Sequence, residues 1–359
     1  MSCVLIMAGG TGGHVFPGLA VARRLIEKRV QVIWLGTRRG LEARVVPASG
    51  LTIDMEWVTI QGVRRKGWLS WLLLPFKLVY AMMQAFRVIR RRKPDAILSM
   101  GGFVAGPGGL MARLTRTPLL IHEQNAIPGM TNKYLSLFAD YVLSGFPNAF
   151  SEHVAARAVG NPVRDEIVAL PLPEKRFTQK HSSALRLLIV GGSLGAKIFN
   201  DVVPQAVKTL PAAARPEIWH QCGRQGVHAV TKAYANIPAK VTEFIDDMAA
   251  AYAWADVVLC RSGAMTVAEL AASGSAAILV PYVYAVDDHQ TANARFLSER
   301  DAAVLVPQTE LTVERVAELL NGFAANRELL LKMARSARSL AVTDAAETIA
   351  CLCLEAIDA

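Results

Sequence analysis

The feature that most constrains this chain is a unit that occurs twice. Cys3–Met7 is a short apolar run; Ala8-Gly9-Gly10-Thr11-Gly12-Gly13-His14 follows, and an apolar pattern of helical period runs from Pro17 to Arg29. Leu185–Val190 opens in the same way, passes through Gly191-Gly192-Ser193-Leu194-Gly195-Ala196 and enters a helical pattern around Val202–Leu210. Each reads as strand, glycine loop, helix. A short strand that is apolar throughout and feeds a helix belongs in a parallel sheet covered on both faces.

Further apolar runs predict strands at Gln31–Leu35, Ala96–Met100, Leu119–His122, Tyr141–Ser144, Glu217–His220, Val257–Cys260 and Ala277–Val280, most of them closed by glycine, proline or a polar turn. The fold class is therefore α/β, with two Rossmann-like parallel-sheet domains facing each other. The length of 359 residues fits two domains at roughly 100–200 residues each. The proline-bearing, basic stretch from Pro171 to Ser183 precedes the second opening strand, so the boundary falls at or just before it. Asn161-Pro162 is the expected hinge, giving domains 1–161 and 162–341.

A loop that leaves a strand and enters a helix presents free backbone N–H groups and the positive end of the helix dipole, and its glycines let a phosphate come close. Three loops qualify: Gly9–His14, Gly101–Gly109 and Gly191–Ala196. Taken singly, any of them also reads as a tight turn between strand and helix. The first matches the dinucleotide pattern G-x-G-x-x-G at Gly10 and Gly12 but carries Val15 where the third glycine belongs. After the second strand, Gly36-Thr37-Arg38-Arg39 lacks the acidic residue that takes a ribose in NAD-binding domains, which disfavours NAD and leaves NADP open. The signature G-x-x-x-x-G-K-[ST] is absent, which removes the commonest nucleotide-hydrolysing class.

Composition narrows the partners. Apolar residues make up 52% and charged residues 19%, enough to fill buried sheets and too apolar for a disordered chain. The net charge of +9 favours a polyanionic surface or a phosphorylated ligand, and by itself leaves nucleic acid, anionic lipid and nucleotide open. Five cysteines without a C-x-x-C pair argue against a disulfide framework or a zinc site and predict a reducing compartment. Met1 leads straight into a strand, which predicts no signal peptide.

Gly9–His14, His122-Glu123-Gln124-Asn125, Gly160-Asn161-Pro162-Val163-Arg164 and Arg261-Ser262-Gly263-Ala264-Met265-Thr266-Val267-Ala268-Glu269 occur together, and in this order the chain resembles the MurG family over nearly its whole length. These are the N-acetylglucosaminyltransferases that convert lipid I to lipid II. The resemblance implies a GT-B fold, an active site in the cleft, an inverting transfer without metal or other cofactor, and a C-terminal helix, 342–359, returning to the first domain. It implies UDP-GlcNAc and lipid I as partners in place of nucleic acid, and a peripheral location on the cytoplasmic face of the bacterial inner membrane. No Asp-x-Asp pair of the metal-dependent transferases occurs; Asp246-Asp247 and Asp287-Asp288 are adjacent pairs.

Carried over by motif, Ala264, Met265, Thr266, Val267, Ala268 and Glu269 open a helix of the second domain, and Glu269 is expected to accept both ribose hydroxyls, a carboxylate suiting a diol. Ile245 is expected to read the uracil edge through its backbone. Arg164 and Ser193 resemble pyrophosphate contacts. Asn125, Gln290 and Asn293 resemble contacts to sugar hydroxyls. His14 is the expected base that takes the proton of the acceptor 4-hydroxyl, since a helix start disfavours the imidazolium and keeps the ring neutral; as a reading of spacing alone, a loop-capping histidine remains open. Glu123 is the reserve base, and His122 reads as structural. Thr11, Gly12 and Gly13 are expected either to shape the donor pocket or to take the acceptor's pyrophosphate.

Trp68, Trp71, Leu72, Phe76 and Val79 can share one helix face, flanked by Arg64-Arg65-Lys66 and by Arg87, Arg90, Arg91, Arg92 and Lys93. Indoles at a headgroup boundary and cations beside anionic lipid make this an expected membrane patch. Pro75 and Lys77 argue against a spanning helix. Three rival readings remain at this level: another GT-B sugar transferase, a UDP-sugar epimerase of like architecture, and a basic membrane scaffold.

Overall fold

The computed structural model describes residues 2–60, 74–178, 184–192, 194–284 and 288–359. Trp68, Trp71, Leu72 and Ser193 lie outside the described residues. Two compact units emerge, Met1–Val163 with Val342–Ala359, and Arg164–Ala341.

In the first unit the described strands are β1 (Cys3–Ala8), β2 (Gln31–Gly36), β3 (Ile53–Trp57), β4 (Ala96–Gly101), β5 (Leu119–Glu123), β6 (Tyr141–Ser144) and β7 (Ala156–Ala158), in the order β3-β2-β1-β4-β5-β6-β7 with parallel pairing throughout. β1 shows why its sequence is apolar at every position. Val4, Ile6 and Ala8 join the core on one face, and Cys3, Leu5 and Met7 join the core on the other. Each fully buried Leu or Ile contributes about 1.5–3 kcal/mol of transfer free energy, so a polar residue anywhere in this strand is costly. The helix Ala345–Asp358 adds Ile349, Ala350, Leu352, Cys353 and Ala356 to the first of these cores.

The chain passes to the second unit at Val163/Arg164, two residues beyond the Asn161-Pro162 hinge read from the sequence. Side-chain bonds to β5 account for the difference. His122 Nε2 lies 2.9 Å from the Gly160 carbonyl, and Asn161 Nδ2 donates to the Gln124 carbonyl at 3.0 Å, which ties this segment to the first sheet.

The described strands of the second unit are β8 (Arg186–Val190), β9 (Glu217–Gln221), β10 (Ala239–Thr242), β11 (Val257–Cys260), β12 (Ala276–Leu279) and β13 (Ala303–Leu305), again all parallel, in the order β10-β9-β8-β11-β12-β13. Leu187, Ile189, Val257, Leu259 and Ile278 pack with Phe199 and Val203 of the helix Lys197–Thr209 in one continuous core.

Both sheets reverse direction of strand order beside their opening strand, between β1 and β4 in one unit and β8 and β11 in the other. Connections leave in opposite directions at such a switch point, so a crevice opens outside the carboxyl ends of those strands. All three glycine loops of the sequence follow strands at these points: after β1, after β4 and after β8.

Candidate active site

In the first unit, the helix Gly12–Glu27 starts directly from the first glycine loop, with Thr11 at its N-cap. The Thr11 hydroxyl does not cap a backbone amide; it lies 3.2 Å from His14 Nδ1. The ring of His14 rests against the loop that follows β4. A Cβ at Gly101, where φ is +96°, would lie 3.0 Å from His14 Cδ2, and one at Gly102, where φ is +85°, would overlap the Gly9 carbonyl. Only glycine admits both the backbone conformation and the close approach. Burial pushes the pKa of His14 down, with the Glu123 carboxylate, a hydrogen bond to the Gly9 backbone and the Glu42 carboxylate partly opposing it. The ring is therefore neutral near pH 7.

Glu123, the reserve base of the sequence reading, is buried at the end of β5 with both oxygens occupied. Oε1 accepts from the amide and the side chain of Asn125 at 2.9 and 3.0 Å; Oε2 accepts from the Gly129 amide at 3.0 Å and from Asn132 Nδ2 at 2.9 Å. Four N–H donors fill the four acceptor positions of a carboxylate. Glu123 is thus an organiser of the 124–129 loop, and it holds Asn125 in place. His122 is structural: its Nε2–H donates to the Gly160 carbonyl, which leaves Nδ1 to accept from Gln124 at 3.0 Å, and burial lowers its pKa to about 4.

In the second unit, the residues expected to hold a nucleotide leave the carboxyl ends of adjacent strands. Ala264–Glu269 form the first six residues of the helix Ala264–Ser273, with Gly263 at its N-cap. The amides of this first turn have no partner within the helix and face the crevice side of β11. Arg164 Nη2 meets Glu269 Oε1 at 3.1 Å, and Tyr252 donates its hydroxyl to Glu269 Oε2 at 3.1 Å. One lone pair on each oxygen remains, the pair of acceptors that a ribose diol needs. Burial raises the pKa of Glu269, with Arg164 and the Tyr252 hydroxyl opposing.

Gln290 and Asn293 come to the same strand ends: the Ser262 hydroxyl donates to the Gln290 carbonyl at 2.8 Å, Gln290 Oε1 accepts from the Tyr282 amide at 2.9 Å, and Asn293 Nδ2 donates to the Ser262 carbonyl at 3.2 Å. Ile245 is buried two residues beyond Glu243, whose carbonyl accepts from Gln221 Nε2 at 2.9 Å. Gln221 also accepts from the Gly191 amide at 3.0 Å and donates to the Gly192 carbonyl at 2.9 Å, so one amide side chain joins the glycine loop after β8 to the Ile245 segment. Among the described residues no group of three or more His, Cys, Asp or Glu side chains is arranged to hold a metal ion.

Sequence reasoning missed Tyr252 and Gln221, because nothing local marks a tyrosine or a glutamine at a strand end as a partner of residues 17 and 30 positions away. Two cations in the basic flank of the expected membrane patch are paired with acids. Arg91 and Arg92 are engaged with Glu56 at 2.6 and 2.7 Å, and Arg92 with Asp54 at 3.1 Å, since β3 ends beside the helix Leu74–Arg92. The described part of this helix exposes further apolar residues. Phe76, 74% exposed, and Val79 stand out on that helix with Tyr80, Met83 and Phe86, and the helix Ala105–Thr115 packed against it exposes Leu110 and Leu114. No helix among the described residues is long and apolar enough to cross a membrane.

The profile of the glycosyltransferase family 28 N-terminal domain matches residues 4–144, and that of the family 28 C-terminal domain matches residues 186–349. The chain is 50% identical over 354 residues to a UDP-N-acetylglucosamine--N-acetylmuramyl-(pentapeptide) pyrophosphoryl-undecaprenol N-acetylglucosamine transferase of Marinobacter nauticus, covering 98% of this chain and 97% of that one. The protein of the same name from Alkalilimnicola ehrlichii is 53% identical, with 98% of each covered. Among solved structures, the MurG crystal structure from Acinetobacter baumannii superposes with a TM-score of 0.84 at 42% identity, over 99% of this chain and 100% of that one. The two sheets, their switch-point loops and this near-full-length identity lead to one conclusion: the chain is a glycosyltransferase of family 28 and belongs, within it, to the MurG family.

Proposed function

We propose that the protein transfers N-acetylglucosamine from UDP-GlcNAc to the 4-hydroxyl of the N-acetylmuramyl sugar of lipid I, giving lipid II with inversion and without a metal. The observation that carries this reading is the identity of 50% over nearly the full length to relatives whose shared name specifies the sugar moved and the lipid-linked acceptor.

The second unit is the donor-holding part. Glu269 takes the ribose hydroxyls on its two remaining lone pairs, the backbone at Ile245 selects uracil, and Arg164 with the loop containing Ser193 takes the pyrophosphate. Gln290, Asn293 and Asn125 meet hydroxyls of the transferred sugar. The amides that open the helix Ala264–Ser273 and the guanidinium of Arg164 stabilise the charge that develops on UDP, the task a metal performs in other transferases. In the reaction the acceptor oxygen forms a bond to the anomeric carbon from the face opposite UDP. The bond from that carbon to the β-phosphate oxygen breaks and its electron pair leaves with UDP. His14 takes the hydroxyl proton and passes it to solvent.

Radiolabelled UDP-GlcNAc and a lipid I analogue test the assignment. Label in the lipid fraction with one UDP released per label is the expected result. UDP released with no label in lipid sinks it and favours an epimerase. The exposed faces of the helices Leu74–Arg92 and Ala105–Thr115 are the proposed contact with an anionic inner-membrane surface on its cytoplasmic side, where each basic side chain adds about 1 kcal/mol. Phe76→Ser with Leu114→Ser should weaken cosedimentation with phosphatidylglycerol vesicles several-fold; unchanged binding by a folded variant overturns that contact.

A further inference from the structure

Glu42 opens the helix Glu42–Ala48 that follows β2, and it is fully buried. Oε2 accepts from the Gly10 amide at 3.0 Å, and Oε1 accepts from the Thr37 amide and the Thr37 hydroxyl, both at 2.8 Å. Among the described residues its partners are N–H and O–H groups rather than cations. A carboxylate in such surroundings is expensive to bury, and it persists only where several donors converge on it.

The chain makes room for it. A Cβ at Gly9 would lie 2.8 Å from Glu42 Oε1, one at Gly36 2.6 Å from its Cγ, and one at Gly40 would overlap both carboxylate oxygens. Gly9 in the loop after β1, Gly36 at the end of β2 and Gly40 in the loop after it leave room for this carboxylate.

We propose that Glu42 is a positioning residue for His14: by accepting from the Gly10 amide its carboxylate fixes the backbone of the first glycine loop on which His14 stands, and its negative charge favours the imidazolium formed as the acceptor proton is taken. The inference rests on the reading of His14 as the base. The Gly10 amide is committed to Glu42 as the Gly191 amide is to Gln221, but the acceptor behind Gly10 is a carboxylate and the one behind Gly191 a carboxamide. Two acids act on the His14 ring by charge, Glu123 from β5 and Glu42 from the helix after β2, and both favour its protonated form. Gly101, which also approaches the ring, carries no charge.

Glu42→Gln places an amide N–H or a lone oxygen where a charged acceptor stood, and Glu42→Asp keeps the charge on a shorter arm. With lipid I analogue as acceptor, Glu42→Gln should lower kcat about 10- to 100-fold, leave the KM for UDP-GlcNAc within about twofold, and move the acid limb of the kcat profile to lower pH, because removing a negative charge lowers the pKa of His14. Glu42→Asp should lower kcat less and keep the limb where the unaltered enzyme has it. A wild-type kcat in Glu42→Gln, or a lower kcat with an unmoved limb, overturns the proposal; the second outcome makes Glu42 a structural residue only. Should Glu42→Gln fail to fold, Glu42→Asp decides: kcat equal to wild type overturns, and a several-fold drop at constant donor KM upholds. His14→Gln, assayed in parallel, separates the two readings. Full activity in His14→Gln removes the base assignment whatever Glu42 does, whereas its inactivity beside an unaffected Glu42→Gln removes this proposal alone.

Discussion

The glycine loops after β1 and β8 begin from the same strand–loop–helix unit and are braced in opposite ways. Beneath the first, the Gly10 amide donates to the carboxylate of Glu42; beneath the second, the Gly191 amide donates to the neutral amide of Gln221. A phosphate settles at a helix start because amides point at it and the dipole favours negative charge. A carboxylate one hydrogen bond behind the loop opposes this, and a carboxamide does not. The comparison teaches that a glycine loop is only half of an anion site; the group that braces it from behind decides which charge the loop welcomes.

The largest expected effect tests the first loop. His14→Ala should reduce kcat by roughly 10²–10⁴-fold, the usual range for a general base, with little change in donor KM; a loss confined to KM would make His14 a binding residue and erase the contrast. Next comes Gln221→Glu, which puts a carboxylate behind the second loop as well. UDP titrated calorimetrically should bind about tenfold more weakly, in line with about 1.4 kcal/mol, and undiminished affinity would show that the bracing charge does not matter.

A smaller effect follows from pH. Glu269 has its pKa raised by burial, so as pH falls it takes a proton earlier than an ordinary carboxyl, and the neutral form loses both the ion pair with Arg164 and one acceptor for the ribose. Donor KM should be flat above that raised pKa and climb below it. The climb should vanish in Glu269→Gln. His14, with its pKa lowered from the usual value of about 6.5, should instead set a limb in kcat that lies on the acid side of that value. The two limbs belong to different loops and should respond to different variants. The smallest effect is that of Tyr252→Phe, which removes one hydroxyl donor from Glu269; donor affinity should drop about two- to fivefold, near the ~0.5–1 kcal/mol of a single hydrogen bond.

Much of this was legible in the sequence because it depends on neighbours along the chain. The apolar runs, the glycine loops and the helices behind them are set by residues within a few positions of one another, and the parallel sheets follow from strands buried on both faces. The small displacements are local too: β12 is Ala276–Leu279, one residue before the expected run, and the first helix starts at Gly12 rather than Pro17, so that His14 lies inside its first turn. Arg91 and Arg92 read as free cations because their partners, Glu56 and Asp54, precede them by 35 to 38 positions.

What the sequence determined by itself is the repeated unit: two strand–loop–helix openings and the residue types at each loop. What only the tertiary structure decided is which side chain stands behind each loop. Glu42 meets Gly10 across 32 positions and Gln221 meets Gly191 across 30, because β2 lies beside β1 and β9 beside β8. Strand order is a property of the folded sheet, and a buried carboxylate or amide acquires its meaning only from the donors that the sheet brings to it.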